Sequence, residues 1–218
     1  MTLRSDIRRW RLCLVLDRAL AGARPYADIV SAAIAGGVDA VQFRDKQSDG
    51  RRLLEDAIAV GEVCRQNSIP FLVNDRVDLA LAADADGAHV GQDDIPAAAA
   101  RRLLGPDRIL GVSVRSAEEA RRAAADGADY LGVGPIFEAR GSKPDAAPPI
   151  SLAGLSAVWR ITSLPILAIG GIHAGSAAAV IRAGATGVAV ISAILSADDA
   201  TAAARALKDK LDTASADS

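Results

Sequence analysis

The sequence predicts an α/β protein folded as a single (β/α)8 barrel, and three observations lead to that fold class. Short apolar segments alternate with helical segments eight times along 218 residues, with a mean spacing of about 25 residues. The apolar segments are continuous runs, which is typical of strands that helices cover on the outside. One phrase recurs at residues 35–43, 83–91, 125–134 and 182–192, where a helix end is followed by glycine and an apolar run.

Four of the predicted strands follow that phrase, and the other four begin more abruptly. In order, the strands are predicted at residues 12–17, 38–44, 70–74, 87–91, 108–114, 128–134, 165–169 and 187–191. The helices that follow them are predicted at residues 25–36, 50–67, 77–83, 96–104, 116–126, 152–163, 174–184 and 198–212. Strict alternation implies a parallel sheet, because right-handed crossovers place a helix between neighbouring strands. A doubly wound open sheet is the alternative, although such sheets usually contain fewer strands.

Composition limits the partners that we expect. The 25 Lys and Arg residues against 27 Asp and Glu residues give no sign of a nucleic-acid surface. The N-terminus lacks the apolar region of a signal peptide, and no stretch approaches the roughly 20 apolar residues of a membrane span. We therefore expect a cytoplasmic protein with small-molecule partners, no nucleic acid and no membrane. Assembly into a homo-oligomer is left open.

The whole chain, residues 1–218, is expected to form one barrel domain. Residues 1–10 are interpreted as an N-terminal extension. The small polar residues at 212–218 predict a disordered tail. Cys13 and Cys64 form no recognisable framework and are expected to be small buried hydrophobes.

In barrels of this kind the functional site lies at the C-terminal ends of the strands, here called the rim. Polar, charged or glycine residues occur at all eight predicted strand ends. They are Asp17; Gln42, Arg44 and Lys46; Asn74 and Asp75; Gln92, Asp93 and Asp94; Ser113; Gly134 and Pro135; Gly170 and Gly171; Ile191 and Ser192. The opposite ends carry mostly the Gly, Asp and Pro of ordinary turns, so function is predicted at the rim.

The second and third strands bring cations and carboxylates to that rim. Gln42, Arg44 and Lys46 are spaced two apart, which in a strand points all three to one face. Arg44 and Lys46 provide positive charge, and an arginine can bind two phosphate oxygens at once. Asp75 and Asp94 follow adjacent strands, so a Mg²⁺ bridging carboxylate and phosphate oxygens is predicted. The alternative is that Arg44 and Asp75 form a buried ion pair.

A second anion signal follows the last two strands. Gly170 and Gly171, in AIGGI, allow backbone N–H groups to approach a ligand closely. Barrels often bind phosphate between the loops after strands 7 and 8, although two glycines after a strand are also typical of a tight turn.

The longest loop, EARGSKPDAAPP at residues 138–149, carries Arg140, Ser142 and Lys143. Its position on the rim predicts a lid, and a solvated connection is the alternative.

The two histidines do not point to an acid–base site. His89 lies inside the fourth strand and is interpreted as a packed residue in or beside the site, while His173 is expected to face solvent. No Cys and His cluster suggests zinc, and no Ser-His-Asp arrangement can be argued. The predicted site is therefore suited to positioning and electrostatics, as for a reaction that releases a good leaving group such as pyrophosphate.

Seven motifs resemble those of thiamine-phosphate synthase in order and spacing, from about Leu12 to Ile194. They are VQFRDK, NDRVDLAL, GAHVGQDD, GVSV, GADYLGVGPIF, SKPDA and AIGGI…GATGVAVISAI. The resemblance implies a (β/α)8 barrel and a transferase. Members of this family join hydroxymethylpyrimidine diphosphate to a thiazole phosphate, plain or carboxylated, and form thiamine phosphate and pyrophosphate.

The resemblance also implies residue roles. The pyrimidine diphosphate would be held by Gln42, Arg44, Lys46, Asn74, Ser113 and Lys143, of which Arg44, Lys46, Ser113 and Lys143 would be catalytic. The thiazole phosphate would be bound by Gly171, Ile191 and Ser192, together with Arg140 and Ser142. Mg²⁺ would be held by Asp75 and Asp94. The implied mechanism is dissociative, with a pyrimidine-methyl cation captured by the thiazole nitrogen.

One loop departs from the family pattern, which reads Phe, any residue, Thr, any residue, Thr or Ser, then Lys. Here FEARGSK lacks the first Thr and has one extra residue before Lys143.

Two rival functions remain open. A related thiazole tautomerase uses a His near the end of strand 5, where this chain has GVSVRS, and a non-catalytic phosphate-binding barrel would not need the acids.

Overall fold

The computed structural model describes residues 7–138 and 148–216. Its strands are β1 (Leu12–Asp17), β2 (Ala40–Arg44), β3 (Phe71–Asn74), β4 (Gly87–Val90), β5 (Ile109–Val114), β6 (Tyr130–Val133), β7 (Ile166–Ile169) and β8 (Gly187–Val190). All eight are parallel, each pairs with its neighbours in sequence, and β1 pairs with β8 to close the barrel. The predicted (β/α)8 fold is confirmed, and the open-sheet alternative is wrong.

Helices follow every strand and cover the barrel. They are α1 (Arg18–Ala21), α2 (Tyr26–Ala35), α3 (Gly50–Gln66), α4 (Val77–Ala82), α5 (Ala97–Leu104), α6 (Ala117–Ala125), α7 (Ser151–Trp159), α8 (Ala174–Arg182), α9 (Ser192–Leu195) and α10 (Ala200–Ala216). Within the described ranges, none of these helices combines the length and the apolar character that a membrane crossing requires. Cys13 and Cys64 are free and buried, as expected, and burial raises the pKa of each thiol to about 12.

The lower half of the barrel, toward the N-terminal ends of the strands, is filled mainly by apolar side chains and closed by the chain that precedes β1. Ile7 and Trp10 are buried against the inward-facing side chains, and the Trp10 ring meets Tyr130 edge-on at 5.8 Å. The other members of this inner cluster are Cys13, Val15, Ala40, Leu72, Ile109, Leu167 and Ala189. Ile7 and Trp10 of the predicted N-terminal extension are therefore part of the core, whereas Arg8 and Arg9 are exposed.

Four side chains link the N-terminal ends of the strands in pairs through hydrogen bonds to the backbone. In each pair, the residue just before an even-numbered strand accepts a backbone N–H at the start of the preceding strand. Asp39 accepts from Arg11 and Leu12 at 2.8 and 2.9 Å, Asp86 from Phe71 at 2.8 Å, Asp129 from Leu110 at 2.8 Å, and Thr186 from Ile166 at 3.1 Å. The turns expected at this end therefore also link neighbouring strands at these four positions.

The last helix corrects another expectation. Residues 212–216, predicted to be part of a disordered tail, continue α10 as far as Ala216. Leu207, Leu211 and Ala214 recur at helical spacing and are buried, so the apolar stripe extends into the polar-looking segment. The same helix places the Lys208 Nζ 2.6 Å from both carboxylate oxygens of Asp39. Residues 217–218 lie outside the described part of the chain.

Candidate active site

The carboxyl ends of β2, β3 and β5 bring predicted site residues to one mouth of the barrel. Gln42 and Arg44 lie on the face of β2 that also directs Ala40 into the interior, as the two-residue spacing predicts. Gln42 is buried, whereas Arg44, Asn74 and Ser113 are partly exposed. The site therefore has a buried polar floor and an accessible rim.

Arg44 is held by Asp17, which is its partner across the β1–β2 ladder. The guanidinium contacts one carboxylate oxygen of the buried Asp17, and the other oxygen accepts the N–H of Ala19 at 2.9 Å. An ion pair of Arg44 with Asp75 was the alternative considered for this cation, but the direct partner is Asp17. Asp17 thus orients the cation at the rim, because the ladder and the N–H of Ala19 fix the carboxylate.

Lys46, Asp75 and Asp94 form a second charged group beside it. The Lys46 Nζ lies 2.8 Å from Asp75 Oδ2, and the carboxyl groups of Asp75 and Asp94 hydrogen bond to each other. Burial alone would raise the pKa of Asp75, but the hydrogen bonds with Lys46 and Asp94 and the charge of Arg44 hold it below its usual value. Burial and the adjacent Asp75 raise the pKa of Asp94, so Asp94 holds its proton more readily.

The backbone at Asp75 is also unusual. Its φ of +64° lies in the left-handed region, which aspartate tolerates better than most residues. Its N–H donates to the carbonyl oxygen of His89 on β4 at 2.7 Å, so the neighbouring strand holds the turn. Such backbone positions often occur at functional sites, where the surrounding structure imposes them.

The paired carboxyls of Asp75 and Asp94 fit a Mg²⁺ ion better than a metal whose ligands are all protein side chains. Among the described residues, no group of three or more His, Cys, Asp or Glu side chains is arranged to hold a metal. Mg²⁺ is commonly bound by one or two carboxylates, with waters and substrate phosphates completing its octahedron. Two close carboxyls whose ionised forms repel each other supply that donor set.

A buried polar chain runs beneath the rim from β2 to β5. The Tyr130 hydroxyl lies 3.5 Å from Gln42 Nε2 and 2.8 Å from His89 Nδ1, and His89 Nε2 lies 2.8 Å from Ser113 Oγ. Burial lowers the pKa of His89 to about 4, against the opposing charge of Asp75, so the ring is neutral at pH 7. The prediction of a packed His89 is confirmed. His173 is exposed, as predicted, and caps α8.

The turn after β7 needs its two glycines. Gly170 and Gly171 have φ of +100° and +65°, and a Cβ on Gly171 would lie 2.6 Å from the carbonyl oxygen of Glu138. On the adjacent β8, the half-buried Ile191 and the exposed Ser192 follow the strand end. The predicted thiazole phosphate residues therefore follow two paired strands.

Arg140, Ser142 and Lys143 lie outside the described residues, as does most of the predicted lid at 138–149. The two ends of that segment are held at the rim. The N–H of Phe137 donates to the Gly170 carbonyl at 3.1 Å, and Arg115 donates to the Pro148 carbonyl at 2.9 Å.

Two contributors to the site were not predicted from the sequence. They are Asp17, as the partner of Arg44, and Tyr130, as a member of the buried polar chain. Tyr130 stands in the apolar run GADYLGV and reads as core. One feature of the sequence pointed to space beside Tyr130. Tyr130 and Gly132 are two residues apart on the same strand, so they share the interior face, and the glycine is the one nearer the rim. A Cβ on Gly132 would lie 2.8 Å from His89 Cε1, so that glycine makes room for the histidine.

The profile of the thiamine monophosphate synthase family matches residues 12–194. The chain is 54% identical over 199 residues to the thiamine-phosphate synthase of Chloroflexus aurantiacus, covering 91% of each chain. It is 52% identical over 201 residues to the protein of that name from Moorella thermoacetica, covering 92% of this chain and 95% of the relative. The solved thiamine phosphate pyrophosphorylase from Pyrococcus furiosus has a TM-score of 0.87 at 36% identity, covering 95% of this chain and 98% of that one.

Proposed function

This chain belongs to the thiamine monophosphate synthase family and is a transferase, and from that premise we propose how its rim makes thiamine phosphate. In the proposed reaction, the bond between the pyrimidine methylene carbon and the diphosphate oxygen breaks first. The pyrophosphate leaves with the electron pair, and the thiazole nitrogen then donates its own pair to the methylene carbon. The observation that carries this assignment is the pairing of Asp75 and Asp94 beside Lys46 and Arg44.

In this proposal Arg44 and Lys46 bind the departing pyrophosphate. Arg44 is already oriented by Asp17, so little reorganisation is needed when negative charge develops on the leaving oxygen. Lys46 is 56% exposed and reaches Asp75, so its ammonium group is free to exchange the carboxylate for a substrate phosphate. Ser113 adds a hydroxyl at the same mouth, and Lys143 is assigned there by the family resemblance.

Asp75 and Asp94 would hold Mg²⁺. The ion supplies divalent charge that neutralises the diphosphate. Without it, burial and the adjacent Asp75 carboxyl favour a proton on Asp94, so binding the ion and releasing that proton are linked.

The two organic substrates are assigned to separate parts of the rim. The buried Gln42 and the partly exposed Asn74 supply amide groups for the pyrimidine. Gly171, Ile191 and Ser192 supply backbone N–H groups and a hydroxyl for the thiazole phosphate. Arg140 and Ser142 are assigned to the same phosphate by the resemblance alone. We also propose a cytoplasmic location, since both cysteines are free and buried, as is typical of reducing compartments.

The tautomerase alternative finds no support at the end of β5. Where that enzyme would need a histidine, this chain has Ser113 and Arg115, and Arg115 donates to the carbonyl of Pro148. The acids and cations at the rim likewise favour the synthase over a non-catalytic barrel.

The test is a reconstitution with both substrates. Purified protein, Mg²⁺, the pyrimidine diphosphate and the thiazole phosphate should give equal amounts of thiamine phosphate and pyrophosphate. EDTA and Asp75→Ala should each abolish the reaction, while Asp93→Ala, which changes the exposed acid beside the pair, should keep it. Full activity in EDTA would contradict the metal assignment. No product under any condition would contradict the activity itself.

A further inference from the structure

In the buried hydrogen-bond chain from Gln42 to Ser113, the donor and acceptor groups determine the direction in which each hydrogen bond is donated. Among the described residues, the Tyr130 hydroxyl has two polar neighbours, the amide nitrogen of Gln42 at 3.5 Å and the Nδ1 of His89 at 2.8 Å. With the Gln42 amide oriented in this way, its nitrogen donates and does not accept, which leaves His89 Nδ1 as the acceptor for the Tyr130 proton.

That donation fixes the tautomer of His89. A neutral imidazole has one acceptor nitrogen and one N–H, so an Nδ1 that accepts from Tyr130 leaves the proton on Nε2. The Nε2–H then donates to Ser113 Oγ, which lies 2.8 Å away. Ser113 accepts from the histidine and retains its own hydroxyl proton for another partner.

The neighbouring backbone is shaped to accommodate this arrangement. A Cβ on Gly111 would lie 2.2 Å from the Tyr130 ring and 2.4 Å from His89 Nδ1, and one on Gly132 would lie 2.8 Å from His89 Cε1. Real Cβ atoms do not approach so closely, so glycines on β5 and β6 provide the space for both rings. His89 and Tyr130 are buried, while Ser113 is partly exposed at the barrel mouth. The chain therefore begins in the core and ends at the site.

We propose that Tyr130 and His89 are positioning residues that turn the Ser113 hydroxyl into a hydrogen-bond donor for the departing pyrophosphate. This inference rests on the proposed function, because it takes Ser113 as a ligand of the diphosphate. If the chain ran the other way, His89 Nε2 would accept the serine proton, and Ser113 would offer the anion only lone pairs. The direction of one buried chain thus decides whether Ser113 attracts or repels the leaving group.

The tautomer is measured directly by ¹⁵N-detected NMR of the imidazole rings. The chain has only two histidines, so histidine-labelled protein gives two ring systems, and His173→Asn assigns them while keeping a helix-capping residue. We expect His89 to carry its proton on Nε2 in the wild type. In Tyr130→Phe this preference should weaken or reverse. A His89 ring protonated on Nδ1 in the wild type would overturn the proposal.

Kinetics then test whether Tyr130 acts through Ser113. Tyr130→Phe should lower kcat about tenfold and change the KM for the pyrimidine diphosphate much less, because the lost interaction strengthens with the leaving charge. In a Ser113→Ala background the same change should have no further effect on kcat. An equal tenfold loss in both backgrounds, or a Ser113→Ala enzyme with unchanged kcat, would refute the positioning role. A wild type that makes no thiamine phosphate would instead refute the proposed function, and the NMR result distinguishes these failures because it needs no turnover.

Discussion

The burial of a neutral His89 should make the protein less stable as the pH falls from 7.5 to 5. Its pKa is about 4 in the folded protein, against 6.5 for an ordinary histidine. At pH 5 nearly every unfolded molecule therefore carries this proton, whereas only about one folded molecule in ten does. The unfolded state binds more protons, so lowering the pH favours unfolding. The difference amounts to about 2 kcal/mol at pH 5 and almost nothing at pH 7.5.

Urea unfolding at the two pH values measures this effect when wild type and His89→Gln are compared. The variant lacks the ionisable ring but retains every other titrating group, so the carboxylates contribute equally to both proteins. We expect the wild type to lose about 2 kcal/mol more than the variant between pH 7.5 and 5. His173→Asn is the matched control, since His173 is exposed, and it should follow the wild type. Equal losses in wild type and His89→Gln would show that the His89 ring is not desolvated.

Three further predictions concern other parts of the chain. Lys46→Met should lower kcat/KM about 100-fold, because it removes a charge that we assign to the leaving group. Its free energy of unfolding should change by less than about 1 kcal/mol, since the Lys46 side chain is 56% exposed; a large destabilisation would instead mark Lys46 as structural. Asp39→Ala should cost about 3 kcal/mol in urea unfolding, because it leaves two backbone N–H groups and Lys208 without their acceptor. Asp39→Asn, which keeps one acceptor oxygen, should cost less, and equal costs would argue against the backbone bonds. Cys13 and Cys64 should react with Ellman's reagent only as fast as the protein unfolds, and rapid labelling of the native protein would contradict their burial.

The fold was predictable because its signal is local and repeated. Apolar runs and glycine-ended helices locate the strands, and the rule that barrel sites lie at strand C-termini selects the rim. The same period-two reasoning correctly placed Gln42 and Arg44 on one face of β2, whereas Lys46, predicted on that face too, lies beyond the end of the strand. The prediction for residues 212–216 was wrong because it followed their small, polar composition, which suggested a tail. The helical spacing of the apolar residues was the better guide, since Ala214 continues the buried stripe of Leu207 and Leu211.

What could not be predicted depends on which strands meet and in what register. Arg44 contacts Asp17 because β1 and β2 pair with those residues side by side, and a shift of one residue would turn one of them away. Tyr130 and His89 meet only because β4 and β6 curve toward each other around the closed barrel, with Gly111 between them. No local sequence pattern indicates contacts between distant strands. A polar residue inside an apolar run is therefore interpreted as core when only the sequence is known.

Aspartates at the two ends of the barrel have different surroundings. At the lower end, the carboxylates of Asp39 and Asp129 each accept a backbone N–H and a basic side chain, so folding satisfies them and they stabilise the strand pairs. At the rim, Asp75 and Asp94 are turned toward each other, with Lys46 as their neighbouring cation. Asp94 accepts the N–H of Gly91 at 2.7 Å and Lys46 pairs with Asp75, but the two carboxyls would still repel each other if both were ionised, and a proton on Asp94 or a bound cation relieves that repulsion. Because barrel geometry separates the two ends, the acids at the N-terminal end can hold the strands together while the rim acids stay available for the Mg²⁺ that we propose there.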